Sequence, residues 1–135
     1  MVRKSLAILG SVVFLGWSAV AIADDNTSDV FQPGDGNTAN VTQNGDTQVS
    51  EVDQQGDFNW VDVIQRVDAD NADSTVNQYG DEGVVYVDQV GDDVVSVVNQ
   101  SDGTGNAATV IQNGDNSDSF IDQSGDYNEA NVTQN

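Results

Sequence analysis

The chain has 135 residues, with 23 Asp and Glu, three Lys and Arg, no His and no Cys. Every acidic residue lies at or after Asp24, so residues 24–135 carry one basic residue, Arg66, against 23 acids, a formal net charge of −22. This charge excludes nucleic acid as a partner, because binding to phosphates requires a basic surface. Without His or Cys, the chain has no Ser-His or Cys-His catalysis, no structural zinc site and no disulfide.

The first 23 residues have the layout of a secretory signal peptide. Arg3 and Lys4 give a basic start, an apolar run follows from Leu6 to Val20, and Ala21-Ile22-Ala23 resembles a cleavage site. The apolar run is too short for a typical transmembrane helix. The sequence therefore predicts that residues 1–23 are a leader cleaved after Ala23, that the product is exported, and that it has no later membrane span.

The composition of residues 24–135 favours strands. This part of the chain has no Leu, and its apolar residues are mainly Val. Val favours strands, whereas Asn, Asp and Gly disfavour helix interiors. Composition therefore leaves either a disordered acidic chain or an all-β structure.

A repeat of Gln decides between these two. Gln recurs at intervals of 11 to 13 residues, a β-branched aliphatic residue stands two positions before each Gln, and Asn stands six positions before five of them. All three columns have the same parity, so in strands they point to one face. The Gln column is Gln32, Gln43, Gln54, Gln65, Gln78, Gln89, Gln100, Gln112, Gln123 and Gln134. The aliphatic column is Val30, Val41, Val52, Val63, Val76, Val87, Val98, Val110, Ile121 and Val132. The Asn residues are Asn26, Asn37, Asn59, Asn106 and Asn128.

A turn follows most of the Gln residues. Gly comes two positions after Gln, usually followed by Asp, and Gln-x-Gly-Asp is typical of a β-turn in which Gly adopts a positive φ. The only proline, Pro33, takes the second place of such a turn, where its fixed φ fits. The turn glycines are Gly34, Gly45, Gly56, Gly80, Gly91, Gly114 and Gly125.

Two strand-turn units make a rung of 22 residues, and ten strands make five rungs. Such periods indicate a solenoid, in which each unit buries its face by stacking on the next. The predicted fold is all-β: a β-solenoid of two parallel stacked sheets over residues 24–135, with Val at its centre. Stacked Gln and Asn side chains form hydrogen-bonded ladders, which satisfies polar groups that are costly to bury alone.

Capping units are not evident at either end of the repeats. The first predicted strand begins at Asn26 and the last ends at Gln134. Uncovered strand edges are templates for pairing with further strands. We therefore expect the Gln, Val and Asn columns to serve as self-assembly ladders between copies of the chain.

Two units carry a family resemblance. The segments from Gln32 to Gln43 and from Gln123 to Gln134, with their shared Gln, Gly, Asn, Ala and Val spacing, resemble the curlin repeat of bacterial curli fibre subunits. The resemblance implies a secreted functional amyloid, a pilus-like fibre with cross-β structure on assembly, in the biofilm matrix of a Gram-negative bacterium, used for adhesion and cell aggregation. It implies partners as well: the chain itself, other curlin subunits, periplasmic chaperones and an outer-membrane secretion pore. It implies neither an enzyme nor a cofactor.

Several alternatives remain open at this point. The chain fits either a major subunit or a nucleator, and a soluble acidic solenoid that binds Ca²⁺ or a surface ligand is a second hypothesis. The expanded turn at Arg66 is either a gatekeeper against assembly or an ordinary loop bulge. One predicted outer face is either a lateral contact or a site of cross-rung packing; its residues are Trp60, Ile64, Val84, Tyr86 and Ile111.

Overall fold

The computed structural model describes residues 18–21 and 25–135, which form eleven strands and no helix. The strands are β1 (Ser18–Ala21), β2 (Thr27–Phe31), β3 (Thr38–Gln43), β4 (Val49–Gln54), β5 (Trp60–Gln65), β6 (Asp73–Gln78), β7 (Val84–Gln89), β8 (Val95–Ser101), β9 (Ala107–Gln112), β10 (Asp118–Ser124) and β11 (Glu129–Gln134).

The strands form two parallel sheets. Sheet A has the order β1-β3-β5-β7-β9-β11, and sheet B has the order β2-β4-β6-β8-β10. Successive strands alternate between the sheets, so β2 and β3 form rung 1, and each later pair forms the next rung, to β10 and β11 in rung 5. The predicted fold, a β-solenoid of five rungs with parallel stacked sheets, is confirmed.

Equivalent residues of successive rungs lie side by side. In sheet A, Gln43 pairs with Gln65, which pairs with Gln89. The step between the last two is longer by two residues because of the expansion that follows Gln65. Since the extra residues are accommodated in the turn, the strand register continues unbroken through the middle of the solenoid.

The core lies between the two sheets. Side chains alternate along each strand, and the inward ones are almost fully buried in the interior rungs. At the ends of the stack, Val30, Ala130 and Val132 pack against the same core but are only half-buried. Because no described strand covers β2, β10 or β11 on their outer edges, the end rungs expose part of the core.

Strand β1 lies inside the predicted leader. It pairs in parallel with β3, with Ala19 beside Val41 and Ala21 beside Gln43. It therefore occupies the edge of sheet A at rung 1. The rest of the predicted leader, including the predicted cleavage site at Ala23, lies outside the described residues. Among the described residues no helix has the length and apolar character needed to span a membrane.

Candidate functional site

Glutamine side chains form a continuous ladder through the interior on the sheet A side. Each Nε2 donates to the Oε1 of the next rung, with N···O distances of 3.0 Å from Gln43 to Gln65, 3.0 Å from Gln65 to Gln89 and 3.1 Å from Gln89 to Gln112. The ladder ends at Gln134, which accepts from Gln112 at 3.0 Å. Every amide points the same way, so the ladder has a direction.

The same glutamines connect the two sheets. Gln65 Nε2 also donates to the carbonyl oxygens of Val49 at 2.8 Å and Ala72 at 2.9 Å, both at the beginning of sheet B strands. Its side chain is fully buried. A single side-chain amide thus bonds to two backbone carbonyls and continues the ladder. An apolar residue of similar size in its place would leave the buried Oε1 of Gln89 without its donor.

The second ladder runs on the sheet B side, from Gln32 through Gln54, Gln78 and Gln100 to Gln123. It has the same direction as the first. Gln32 and Gln134, in the end rungs, are half-buried, whereas the interior members are almost fully buried. The structure thus places all ten predicted glutamines in two columns; their role between copies remains a prediction.

The asparagine column links the turns of adjacent rungs by side-chain hydrogen bonds. Asn37 Nδ2 donates to the carbonyl oxygen of Gly56 at 2.8 Å, and its Oδ1 accepts the backbone N–H of Asn59 at 2.8 Å. Asn59 repeats both bonds one rung further on, to Gly80 and Gly83. Asn106 and Asn128 lie at the same place in rungs 4 and 5, and Asn26 takes the corresponding place before sheet B.

The structural reason why the turns require glycine differs in part from the predicted reason, a positive φ. Gly34, Gly56, Gly91 and Gly125 have positive φ as predicted. For the other three the prediction is wrong: Gly45, Gly80 and Gly114 lack a left-handed φ. At Gly80 the place of a Cβ lies 2.1 Å from the carbonyl oxygen of Gly103. Close approach of the next rung therefore requires glycine there even where φ does not.

Gly103 belongs to the same column, although the sequence pattern missed it. The turn after Gln100 is one residue longer than its neighbours, which moves the glycine by one position. In the structure Gly103 lies between Gly80 and Gly125. Gly103 is recognised as a member of this column by its position in the stack, and not by its distance from the preceding Gln.

A left-handed residue follows the turn aspartates, and it is often not glycine. Phe58 has φ 58° and Tyr127 has φ 54°, which is uncommon for aromatic residues. Both rings cover a glycine of the preceding rung: Phe58 lies over Gly36 and Tyr127 over Gly105. No sequence signal predicts this conformation, since bulky residues normally avoid it.

The turn aspartates form ladders of their own. The backbone N–H of Asp35 donates to Asp57 Oδ1 at 2.8 Å, and that of Asp57 donates to Asp81 Oδ1 at 2.9 Å. On the opposite side Asp70 and Asp92 make the equivalent contact at 3.2 Å. One oxygen of each of these carboxylates therefore links adjacent rungs by a hydrogen bond. No group of three acidic residues among those described is arranged to hold a metal ion.

A column of serines lies inside sheet B, with Ser50 beside Ser74 and Ser74 beside Ser96. Their hydroxyl oxygens are buried and have no hydrogen-bond partner among the described residues. Buried hydroxyls without partners oppose folding. These positions appeared in the sequence only as small residues, so the unmet hydrogen bonds are a finding of the structure.

Replacing Ser74 by alanine is therefore expected to raise the free energy of unfolding by about 1 kcal/mol, because the change removes an unsatisfied hydroxyl and leaves the packing of Cβ intact. Denaturant unfolding followed by circular dichroism measures the change. Ser124→Ala, at an exposed position, is the control and is expected to change stability by less than about 0.5 kcal/mol. A loss of stability in Ser74→Ala would show that the hydroxyl has a partner.

The outer face of sheet A carries the five apolar residues that the sequence placed together. Trp60 and Ile64 lie on β5, Val84 and Tyr86 on the adjacent β7, and Ile111 on β9. Their predicted common face is confirmed; a lateral contact there remains a prediction.

Arg66, in the expanded turn, is paired with an acid of this face. Its Nε and Nη2 donate to Oδ1 and Oδ2 of Asp88 at 2.7 and 2.6 Å. These hydrogen bonds raise the pKa of Arg66 above its ordinary value. Asp88 is largely buried between Ile64 and Ile111 in the sheet register, so the single arginine of residues 24–135 compensates a buried carboxylate.

Asp62 lacks such compensation. Burial, and secondarily the charge of Asp88, raise the pKa of Asp62 above its ordinary value of 3.8. Because the folded pKa is the higher one, ionised Asp62 opposes folding at neutral pH, and stability rises as the pH falls through the folded pKa.

Asp62→Asn is expected to stabilise the protein at pH 7 by less than about 1 kcal/mol, since water screens the partly exposed group. The gain should shrink as the pH approaches 3.8. Unfolding titrations at several pH values test this. Asp122→Asn makes the same charge change at an exposed position and serves as control; an equal, pH-independent gain in both variants would contradict the prediction.

Together these features define a class: a parallel repeat solenoid held by directional amide ladders, with uncovered edges on β2, β10 and β11 among the described strands. Two segments of the chain, residues 51–80 and 103–135, match the curlin associated repeat. Both matches support a curlin family protein and indicate a curli-type subunit, from a family of extracellular structural fibre subunits. No curated protein matches the chain, and no solved structure matches it.

Proposed function

We propose that the protein is the secreted structural subunit of a curli-like amyloid fibre and polymerises end to end by adding rungs. The fibre contributes to biofilm matrix, adhesion and cell aggregation. The observation that carries the proposal is that the two ends of the solenoid complement each other. The role is structural, and no catalytic step is assigned to any residue.

Hydrogen-bonding groups at the two ends match. At rung 1, Gln32 and Gln43 have side-chain oxygens that accept no bond from a described residue. At rung 5, Gln123 and Gln134 each use Nε2 for one backbone carbonyl, which leaves a second hydrogen. Rung 5 of one copy placed on rung 1 of another continues both ladders in their own direction.

This complementarity favours one arrangement of copies. Two identical ends brought together place acceptor against acceptor or donor against donor. A head-to-tail contact instead pairs donors with acceptors and leaves the same two ends free after each addition. Heterologous contacts that do not close into a ring generate open filaments. Burial of the half-exposed Val30, Ala130 and Val132 adds to the stability of the contact.

The position of strand β1 determines when copies of the chain can assemble. It pairs with β3 at the edge that β11 of a second copy would occupy, with Ala21 at the place of Gln134. The leader therefore has to leave this edge before rungs can stack. Cleavage after Ala23 removes β1, so we assign export and the freeing of the edge to one processing step. Periplasmic chaperones and an outer-membrane pore are the partners of that route.

Fibre diffraction tests the proposal. Residues 24–135 are incubated unseeded at moderate salt, and any assembled material is aligned. Reflections near 4.7 and 10 Å are expected for strands stacked across the fibre axis. A monomeric solution that retains β-type circular dichroism, with no such material, would overturn the proposal and favour the soluble binding module; Ca²⁺ titration would then follow.

Assembly is also expected to depend on charge. Residues 24–135 carry a formal charge of −22, so copies repel one another as they meet. Raising the salt from about 10 to about 200 mM, adding divalent cations, or lowering the pH to about 4 should shorten the lag time several-fold. Dye-binding kinetics measure the lag; rates unaffected by all three changes would contradict the electrostatic interpretation.

A further inference from the structure

Two phenylalanines lie at opposite ends of the same outer face. Phe31 is on β2 in rung 1 and Phe120 is on β10 in rung 5, and both strands are edge strands of sheet B. Their side chains are 50% and 65% exposed. Although Phe120 lies beside Val97 in the sheet register, both rings stay largely exposed to water, which is unfavourable for a side chain of this size.

The register of sheet B determines which residues become neighbours when a second copy extends the stack. One row of the outer face runs Phe31, Asp53, Asn77, Asn99 and Asp122, and the neighbouring row runs Asp29, Glu51, Thr75, Val97 and Phe120. When β2 of a second copy follows β10, its Phe31 lies directly beside Asp122. Phe120 then lies one strand across and two residues along, at a diagonal distance of about 8 Å, within reach of an aromatic ring.

The charges at this junction agree with the same register. On sheet B, Phe120 faces Asp29 of the second copy, and Asp122 faces Phe31. On sheet A, the only acid of β11, Glu129, faces Thr38. No two carboxylates of the outer faces are opposed, although the chain tolerates such a pair internally between Asp29 and Glu51. The outer strand faces therefore add no directly opposed carboxylates when rung 5 stacks on rung 1, as between most rungs inside the chain.

We infer that Phe120 of one copy and Phe31 of the next form an aromatic contact across the subunit junction, and that this contact fixes the register in which copies add. The partner is a second copy of this chain. The inference rests on the proposed end-to-end assembly and goes beyond it, because the interior ladders repeat at every rung and cannot by themselves distinguish one junction from another.

The critical concentration, the soluble protein remaining at equilibrium with fibres, tests the contact. Phe31→Ser, Phe120→Ser and the double variant are compared, using protein recovered after export from a host that expresses the full sequence. Phe58→Ser is the matched control, because Phe58 is 65% exposed but lies in a turn. Each single change is expected to raise the critical concentration about threefold to tenfold, and the double variant should raise it by less than the product of the two.

Values no higher than that of Phe58→Ser, or a double variant equal to the product, would overturn the inference. So would a change in fibre bundling without a change in critical concentration, since it would place both rings in a lateral contact. Absence of fibres from the unmodified protein would instead defeat the proposed function, so the two failures are distinguishable.

Cross-linking tests the register directly, because the chain has no Cys. Thr27→Cys copies, which keep both phenylalanines, are mixed with Asp118→Cys copies, since Thr27 of the second copy lies beside Asp118 in the same register; the mixture is assembled and oxidised. Neighbouring parallel strands lie about 4.8 Å apart, within the range of a disulfide, so linked dimers are expected. Thr27→Cys mixed with Thr133→Cys, which lies on the other sheet, is the control. Equal yields from the two mixtures would exclude the proposed register.

Discussion

Replacing Gln65 by leucine is expected to lower the free energy of unfolding by at least about 3 kcal/mol, because several buried groups lose partners and each costs about 1–3 kcal/mol. The Oε1 of Gln89 and the carbonyl oxygen of Val49 would lose the hydrogen bonds that Gln65 donates, and the carbonyl oxygen of Ala72 would keep only its bond from the Val49 N–H. The apolar surface of leucine cannot compensate, since the site is already fully buried and close-packed.

Guanidinium unfolding of unassembled protein, followed by β-type circular dichroism, measures this loss. Gln55→Leu is the control, because Gln55 lies in a turn, is exposed, and its side chain bonds to Asp53 at the surface, while its backbone bond to Gln78 does not depend on the side chain. Its effect should stay within about 0.5 kcal/mol. Similar midpoints for the two variants would mean that the interior ladder is not what holds the sheets together.

The Gln and Val columns of the interior could be predicted because strand side chains alternate strictly. Gln65 and Val63 share parity in the sequence, and the structure buries both in the same core. Once the period was known, parallel stacking of equivalent residues followed, because each rung has to cover the exposed face of its neighbour. Even the expansion after Gln65 did not disturb this, because turns absorb extra residues at little cost.

The turns were predicted less well, for a physical reason. Their conformation depends on the rung that follows, not on the local sequence alone. Phe58 adopts a left-handed φ although its side chain disfavours it, and gains a contact over Gly36. The use of an Asp57 oxygen to accept the N–H of Asp35 joins residues 22 positions apart. Neither feature has a signature within one turn.

Pairing of β1 with β3 was also beyond the sequence pattern. Residues 18–21 do not carry the repeat, and their short apolar run read only as part of a leader. An open strand edge accepts any segment that supplies backbone groups in register. The edge of β3 therefore explains the contact better than any property of the sequence Ser18–Ala21 does.

Replacing Gly56 by alanine is expected to destabilise the protein by about 3–5 kcal/mol, through two separate costs. Gly56 has φ 116°, a conformation that side chains rarely adopt, and a Cβ there would lie 2.4 Å from the carbonyl oxygen of Gly80. The oxygen belongs to the backbone of the next rung, so relief requires the rungs to separate. Separation would also lengthen the hydrogen bond from Asp57 N–H to Asp81 Oδ1.

Gly114→Ala provides the control for this change. Its φ lies outside the left-handed region, and its added Cβ would meet nothing closer than the carbonyl carbon of Asn135 at 3.2 Å. We expect a loss below about 1 kcal/mol, as for a surface change. Both variants are compared by guanidinium unfolding at low salt, before assembly. If the two lose equal stability, the need for glycine lies in turn flexibility; a loss confined to Gly56→Ala shows that contact between stacked rungs, the same contact that assembly repeats, is what requires it.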